Sequence, residues 1–486
     1  MLQSFKFLPG TIALCAGFVW LSLAVNAAAQ VATEQGPVEP WSERAIFQHV
    51  DRSQYRGVLG KEDLEALIAF GNTLFDAPFT TLDGAGRPMA TQAIIPTKRK
   101  RAAPETFQRL AGLDANSCSS CHNDPVMGGA GDFTVNVFVS EGFNNADFDT
   151  SDPQFSNERN TNHLFGSGLV ELLAREMSAD LHQIRREALK IARKSGQDYR
   201  ATLITKGIRF GWITAKPDGL VELKEIDGVD TDLVIRPFSQ KGVMTSLRQF
   251  TVNALNHHTG MQSAERFGVR WTGEADFDED AAADELTEGD VSALVAWQAT
   301  LPPPGSKIPD NEQWQQAVQS GAQTFQTIGC ASCHVPALPL DSLLFQDPGP
   351  LDAAGTLRNS DVKDPAVYDL GLLDWAKSLA RNEQGQIMVP LFGDLKRHKM
   401  TDRQVAVFGN ELLSQRFVER DVFQTTELWG IGSTAPYGHR GDMTTLDEVI
   451  SAHGGAGRKA RDAYLDLEEA GRSALIAYLK TLVIEP

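Results

Sequence analysis

The feature that most constrains this chain is a short pattern, C-x-x-C-H, that occurs twice in 486 residues. Its members are Cys118, Cys121 and His122 in the first copy and Cys330, Cys333 and His334 in the second. In this pattern both thiols add across the vinyl groups of a haem, and the adjacent histidine ligates the iron. Two disulfides or a four-cysteine zinc site would leave both histidines without a role, and a thioredoxin-like motif needs a βαβ context that neither copy has. We therefore predict two covalently bound haem c groups, with both histidines as iron ligands.

The N-terminus has the order of a secretory signal peptide. Lys6 is followed by an apolar run over residues 11–25, and three alanines precede Gln30. We predict that residues 1–29 are removed and that the protein is exported to the periplasm; an uncleaved membrane anchor is the alternative. No other apolar run of about 18 residues exists, so we expect no membrane span after removal. Because Cys15 leaves with this segment, the other four of the five cysteines all lie in the haem motifs.

The charge balance narrows the choice of partner. The formal net charge is −18, with 42% hydrophobic and 22% charged residues. This composition is that of a globular protein, and the acidic balance argues against nucleic acid as a partner because phosphate binding needs a basic surface. We expect instead a partner with a basic docking face.

An internal repeat predicts the domain organisation. Residues 292–301 (SALVAWQATL) and 473–482 (SALIAYLKTL) agree at six of ten positions, and both have the apolar spacing of amphipathic helices. Gly71-x-x-x-Phe75 and Gly321-x-x-x-Phe325 recur earlier in each half. We predict a mainly α fold of two tandem cytochrome c-like helical domains, at about 30–300 and 301–486. The first would be enlarged by long loops and short strands.

Further strings carry a resemblance to a known family. They are GCASCHV (residues 329–335), DLKRHKM (394–400), LWGIG (428–432), TAPYGHRGDMTTLDEVISAHGG (434–455) and NHHTGMQSAERFG (256–268). They resemble the di-haem c-type oxidoreductases of peroxidase type, which are related to bacterial di-haem cytochrome c peroxidases. The resemblance extends from about residue 60 to the C-terminus. The chain departs from the family pattern at Gln424-Thr-Thr-Glu-Leu and at Gly438-His439-Arg440-Gly441, both near the second haem motif.

Peroxide reduction with two haems needs one iron with an open site and one that stores an electron. The sequence must therefore supply one strong sixth ligand. Met400 in the DLKRHKM string is our prediction for the second haem, since a thioether raises the potential of the iron. His398 and Met443 are the alternatives.

A distal pocket for the first haem needs a base, an acid and a cation, because the O–O bond breaks with proton transfer and charge stabilisation. His258, Glu265 and Arg266 supply these groups. The alternative is that Glu265 and Arg266 form a solvated helical ion pair and that the histidines cap a turn.

An acidic loop has the spacing of a calcium site. Asp276, Asp278, Asp280 and Asp284 stand at positions one, three, five and nine of such a loop, although Ala281 replaces the usual glycine. A solvated acidic loop is the alternative. The family resemblance favours calcium, because di-haem peroxidases hold this ion between their domains.

We therefore expect a periplasmic di-haem oxidoreductase that reduces peroxide, or another small oxidant, at the first haem. Electrons would enter through the second haem from a small redox protein such as a cytochrome c or a cupredoxin. Two alternatives remain open: an electron-transfer cytochrome without substrate chemistry, and an oxidase or oxygenase of an organic or protein substrate.

Overall fold

A computed structural model describes residues 41–86, 116–131, 135–136, 158–352, 355–411 and 414–485. The predicted signal peptide, residues 1–29, lies outside these ranges. The division of the chain near residue 300 stays a prediction.

The described helices are α1 Lys61–Asp76, α2 Ser167–Ser195, α3 Leu247–Ala254, α4 Ala264–Phe267, α5 Val269–Thr272, α6 Glu288–Thr300, α7 Glu312–Thr327, α8 Leu446–Ser451, α9 Arg458–Leu465 and α10 Glu469–Leu479. A π-helical turn, Leu255–Thr259, continues α3. The described strands are β1 Gly57–Val58, β2 Val135–Asn136, β3 Glu158–Arg159, β4 Tyr199–Thr205, β5 Ile208–Ala215, β6 Val221–Ile226, β7 Gly305–Ser306, β8 Leu338–Leu340, β9 Leu344–Asp347, β10 Ala366–Asp369, β11 Ile387–Val389, β12 Arg397–Lys399, β13 Val422–Gln424 and β14 Leu482–Val483.

The prediction of a mainly α fold built from two tandem cytochrome c-like helical domains is wrong. Of the residues that the structure describes, 38% are in helices and 15% in strands, and the strands form several small sheets. The largest strands, β4, β5 and β6, form an antiparallel sheet that packs on α2. β4 alternates buried Ala201, Leu203 and Thr205 with more exposed residues, which is the period of a half-buried strand. The helix repeat covers residues 292–301 and 473–482, whereas this sheet is formed earlier in the chain, by residues 199–226.

The repeat does correspond to two similar helix crossings. α1 packs on α6, and α7 packs on α10. A Cβ added at Gly71 would lie 2.0 Å from the carbonyl oxygen of Ala293, and one at Gly321 would lie 2.0 Å from that of Ala474. Ala293 and Ala474 occupy the same position in the two repeats. Glycine is therefore required at both crossings because the helix backbones touch there.

Aromatic residues one turn further along complete each crossing. The rings of Phe75 and Trp297 have centroids 4.1 Å apart. Those of Phe325 and Tyr478 are 5.7 Å apart. Trp297 and Tyr478 again hold equivalent positions in the repeats, so each crossing contains an aromatic pair at the same place.

The side chains of helix α2 are mostly buried in its first half and mostly exposed in its second half. It begins after Gly166 and ends at Gly196, and both glycines have the left-handed backbone conformation. Its first half is buried, whereas Ala188 and Ala192 are the buried residues of its second half. No helix among the described residues is both long enough and apolar enough to span a membrane.

Candidate functional site

The first C-x-x-C-H motif forms a tight turn in which the amides of Cys121 and His122 both donate to the carbonyl of Cys118, at 3.2 and 3.0 Å. The ring of His122 lies beside Phe75, with centroids 6.1 Å apart. Its Nδ1 is 3.2 Å from the carbonyl oxygen of Gly129. Because a carbonyl can only accept, Nδ1 carries the proton and Nε2 has the free lone pair that an iron needs. Burial lowers the pKa of His122 to about 4, which keeps the ring neutral.

The second motif has the same local geometry. The amides of Cys333 and His334 donate to the carbonyl of Cys330, at 3.3 and 3.0 Å. Nδ1 of His334 is 3.2 Å from the carbonyl oxygen of Phe392. Burial, with a smaller contribution from nearby His453, lowers the pKa of His334 to about 4. The structure thus prepares both motif histidines, by the same means, as neutral Nε2 ligands.

The four motif cysteines are free thiols in the structure. Burial raises the pKa of Cys118 to about 12 and those of Cys121 and Cys330 to about 11. Each motif thus supplies the two unpaired cysteines that the attachment of one haem c requires. A haem also explains why each cysteine pair is followed by a histidine whose Nε2 is unprotonated.

His258 is brought close to the first motif. It lies in the π-helical turn, with its ring 5.2 Å from that of His257. Burial, with a contribution from nearby His122, lowers the pKa of His258 to about 4. Its Nδ1 is buried and has no hydrogen-bond partner among the described residues. A neutral imidazole with a free nitrogen next to His122 is suited to accept a proton.

Glu265 and Arg266 are buried rather than solvated, with 1% and 3% exposure. Glu265 Oε2 accepts a hydrogen bond from Arg248 at 2.7 Å, and Arg248 also pairs with Asp347 at 2.8 Å. Burial raises the pKa of Glu265 to about 7, although Arg248 opposes this shift. Arg266 donates from Nε to the carbonyl oxygen of Gly355 at 3.1 Å. Glu265 therefore faces Arg248, and its predicted catalytic role with His258 stays a prediction.

Met400 packs in the apolar cluster that also contains Cys330 and Phe392, beside the second motif. Its rival His398 lies 2.8 Å from a carboxylate oxygen of Asp394. Burial opposes the charged ring, but hydrogen bonds to Asp394 and Cys333 raise the pKa of His398 to about 10. A protonated imidazole has no lone pair for iron. The assignment of Met400 as sixth ligand stays a prediction. Met443 is buried in the same cluster and remains an alternative.

Two further histidines lie near the motifs and were not assigned from the sequence. Burial, together with His122, lowers the pKa of His163 to about 4, and its Nε2 is 3.0 Å from the carbonyl oxygen of Trp429. His453 lies near His334, and its Nδ1 is 2.7 Å from the carbonyl oxygen of Val449. No spacing rule links either histidine to a motif, because the approach is made by distant parts of the chain.

Three carboxylates of the acidic loop lie close together. Ligand oxygens of Asp276, Asp278 and Asp280 all lie within 4.8 Å of one another. Asp284 is not in this group, but Glu285 is close to it. Burial and the charge of Asp278 raise the pKa of Glu285 well above its usual range. The loop thus gathers carboxylates that repel one another and would gain from a cation.

Comparison with known proteins locates the family resemblance. Residues 376–482 match the family described as "Di-haem oxidoreductase, putative peroxidase". The resemblance inferred from the sequence is confirmed. The matched range contains Met400 and the TAPYGHRGDM string, and it begins after both C-x-x-C-H motifs.

Two curated relatives also match. The cytochrome-c peroxidase IdrP2 of Pseudomonas sp. (strain SCT) is 42% identical over 71 residues, which is 14% of this chain and 19% of the relative. The protein of the same name from Denitromonas iodatirespirans is 34% identical over 79 residues, 16% of this chain and 22% of the relative. The chain therefore spans about a fifth of the length of these relatives.

Among solved structures, the hydrazine synthase of Kuenenia stuttgartiensis, pressurised with xenon, aligns with 92% of this chain and 99% of its own. The sequence identity is 12% and the TM-score is 0.36, a likeness too weak to support an argument.

Proposed function

We propose that this protein is a periplasmic di-haem c oxidoreductase that reduces peroxide. The observation that carries the proposal is the repeated geometry of His122 and His334, each neutral and each fixed through Nδ1 by a backbone carbonyl. The family match over residues 376–482 and the relatives named cytochrome-c peroxidase support the reaction class. The signal-peptide pattern of residues 1–29 supports export.

The residues at both motifs fit haem c. Cys118 and Cys121 would hold the first haem and Cys330 and Cys333 the second, with His122 and His334 on the irons. When bound, such haems supply irons that exchange single electrons, and an iron with a free axial position binds a small ligand.

At the first haem, the chain supplies proton transfer. Reduction of peroxide to water consumes two electrons and two protons. His258 is neutral and has a buried free nitrogen, so it would accept the first proton and return it to the departing oxygen. Glu265 and Arg266 would form the charged wall of the pocket, with Arg248 holding Glu265 in place.

At the second haem, the chain supplies an electron reservoir. Met400 would be the sixth ligand, and a thioether ligand favours the reduced iron. Electrons would arrive from a cytochrome c or a cupredoxin whose basic face complements the net charge of −18. Asp276, Asp278 and Asp280, with Glu285, would hold a calcium ion that relieves the repulsion within the acidic loop.

Spectra of the half-reduced holoprotein, combined with turnover, test the proposal. We expect one high-spin, five-coordinate haem and hydrogen peroxide reduction with reduced cytochrome c as donor. Two haems that stay low-spin, without turnover, would establish an electron carrier instead. Oxygen-dependent conversion of an organic substrate, without peroxide turnover, would establish the oxidase alternative.

A further inference from the structure

The second half of α2 carries a concentration of positive charge that the acidic composition does not predict. Residues 185–194 hold five cations, Arg185, Arg186, Lys190, Arg193 and Lys194, and one carboxylate, Glu187. This is a net charge of +4 over ten residues in a chain of net charge −18. Cations in the last turn complement the helix dipole, but Arg186 and Lys190 lie before the last turn, where that effect has faded.

Four of these cations form one surface. Arg186, Lys190, Arg193 and Lys194 are exposed and line a single open groove with Leu189. Within the part of the chain that the structure describes, none of the four has a carboxylate partner within ion-pair distance. They are therefore available to an external anion.

An apolar residue protrudes beside these cations. The turn between β5 and β6 lies against α2, since a Cβ added at Gly219 would be 3.1 Å from a guanidinium nitrogen of Arg193. Leu220 in this turn is 63% exposed, and Ile191 on the helix is 41% exposed. We call Arg186, Lys190, Arg193, Lys194 and Leu220 the basic patch.

The basic patch is remote from the haem motifs. The first turn of α2 packs close to Trp429, through Gly166, and to Ala299, through Gly168. At 1.5 Å per residue, Arg186 lies about 28 Å along the helix from Ser167, and Lys194 lies about 40 Å from it. A partner on the basic patch would therefore leave the haem sites open to substrate and donor.

We propose that the basic patch docks this protein on an anionic phospholipid surface. Lysine and arginine side chains bind acidic headgroups, and an exposed leucine beside them inserts at the boundary with the acyl chains. An acidic protein is the competing partner, but it gains little from a single protruding leucine. Since the rest of the chain is strongly acidic, attraction confined to this patch would also orient the protein on the membrane.

Co-sedimentation of the holoprotein with vesicles tests the proposal. We expect binding at low salt to vesicles of equal parts phosphatidylglycerol and phosphatidylcholine, and none to phosphatidylcholine alone. The triple variant Arg186→Glu, Lys190→Glu and Lys194→Glu should bind roughly a hundredfold more weakly, because each cation near an anionic surface contributes about a factor of five. Leu220→Ser should weaken binding about tenfold.

A matched control separates the basic patch from net charge. Lys61→Glu, Lys307→Glu and Lys377→Glu change the net charge equally at lysines that are 68%, 73% and 66% exposed. This control should keep at least a tenth of the wild-type affinity. No binding of the wild-type protein to the acidic vesicles, or equal loss in both triple variants, would overturn the proposal. Equally tight binding to polyglutamate, with no effect of Leu220→Ser, would assign the basic patch to an acidic protein. Peroxide turnover should be unchanged in both triple variants, so failure of the proposed activity is a separate result.

Discussion

At both C-x-x-C-H motifs the histidine donates from Nδ1 to a backbone carbonyl, that of Gly129 for His122 and that of Phe392 for His334. The groups gathered around the two motifs are different. Near His122 lies the neutral His258 with a free nitrogen, whereas the second motif lies beside the charged His398 and the thioether of Met400. The same local geometry thus occurs twice, and the neighbouring side chains differ: a neutral imidazole stands near one motif, and a charged imidazole and a thioether stand near the other. In the proposed function the first surroundings serve proton transfer and the second serve electron storage.

The largest expected effect comes from removing one haem at a time, which tests whether the two motifs have different roles. Cys118→Ala with Cys121→Ala should leave one haem per chain and abolish peroxide turnover, because the site for proton transfer is lost. Cys330→Ala with Cys333→Ala should also leave one haem and stop turnover with cytochrome c, but peroxide should still change the spectrum of the remaining haem. Haem content and difference spectra measure both results. A peroxide response confined to the variant that lacks the first haem would reverse the two roles.

The next largest effect concerns the sixth ligand. Met400→Ala should remove one low-spin signal and lower the potential of the second haem by on the order of 0.1 V, within the range of about 0.8 V that axial ligands span. Potentiometric titration measures this shift. Met443→Leu, in the same apolar cluster, is the control and should leave the spectrum unchanged. If Met443→Leu loses the signal instead, the ligand has been assigned to the wrong methionine.

The two helix crossings should respond alike to mutation, although the side chains around the two C-x-x-C-H motifs differ. Gly71→Ala and Gly321→Ala each place a Cβ 2.0 Å from a carbonyl oxygen, so each should lower the free energy of unfolding by about 2–4 kcal/mol. Gly471→Ala in α10 is the control, since its Cβ would make only ordinary contacts of 3.5 Å or more with Leu467. Denaturant unfolding measures all three. If only one of the two substitutions lowers the free energy of unfolding, the two crossings are not packed equivalently.

The smallest expected effect on stability concerns the first residues of the repeated helices α6 and α10. α6 begins with a capping box of Thr287 and Asp290, and Asp290 also binds Nδ1 of His49 at 2.6 Å. α10 begins after Glu468 without a side-chain cap. The hydrogen bond to Asp290 raises the pKa of His49, although burial opposes the shift.

Because the folded pKa lies above the unfolded value, His49 contributes stability that is fully present below about pH 6.5 and is lost as the pH rises through the raised pKa. His49→Asn should remove about 0.5–1 kcal/mol at pH 6 and much less at pH 9. Unfolding at the two pH values measures the difference. His182→Asn, on the exposed side of α2, is the control; a pH dependence that persists in His49→Asn would exclude His49 as its source.

The local motifs were readable because each depends on neighbouring residues. The turn geometry at Cys118–His122 and Cys330–His334, the helices of the repeat and the convergence of Asp276, Asp278 and Asp280 all follow from spacings of a few residues. The sheets were misjudged because the strong helical repeat was extended to residues outside its copies, including those that form β4, β5 and β6 ahead of the first copy. The alternation over β4, at Ala201, Leu203 and Thr205, was present in the sequence but did not enter the prediction.

The amino-acid sequence by itself determined the two cysteine pairs, their histidines and the glycine positions of the two helix crossings, because these are set by covalent chemistry and by helical period. Only the tertiary structure decided what surrounds them. It paired Glu265 with Arg248, brought His163 and Trp429 together across 266 residues and charged His398 through Asp394. It also left the cations of α2 exposed on an acidic protein. Such contacts depend on how distant segments pack, and desolvation and charge, which set the chemistry of a site, arise only from that packing.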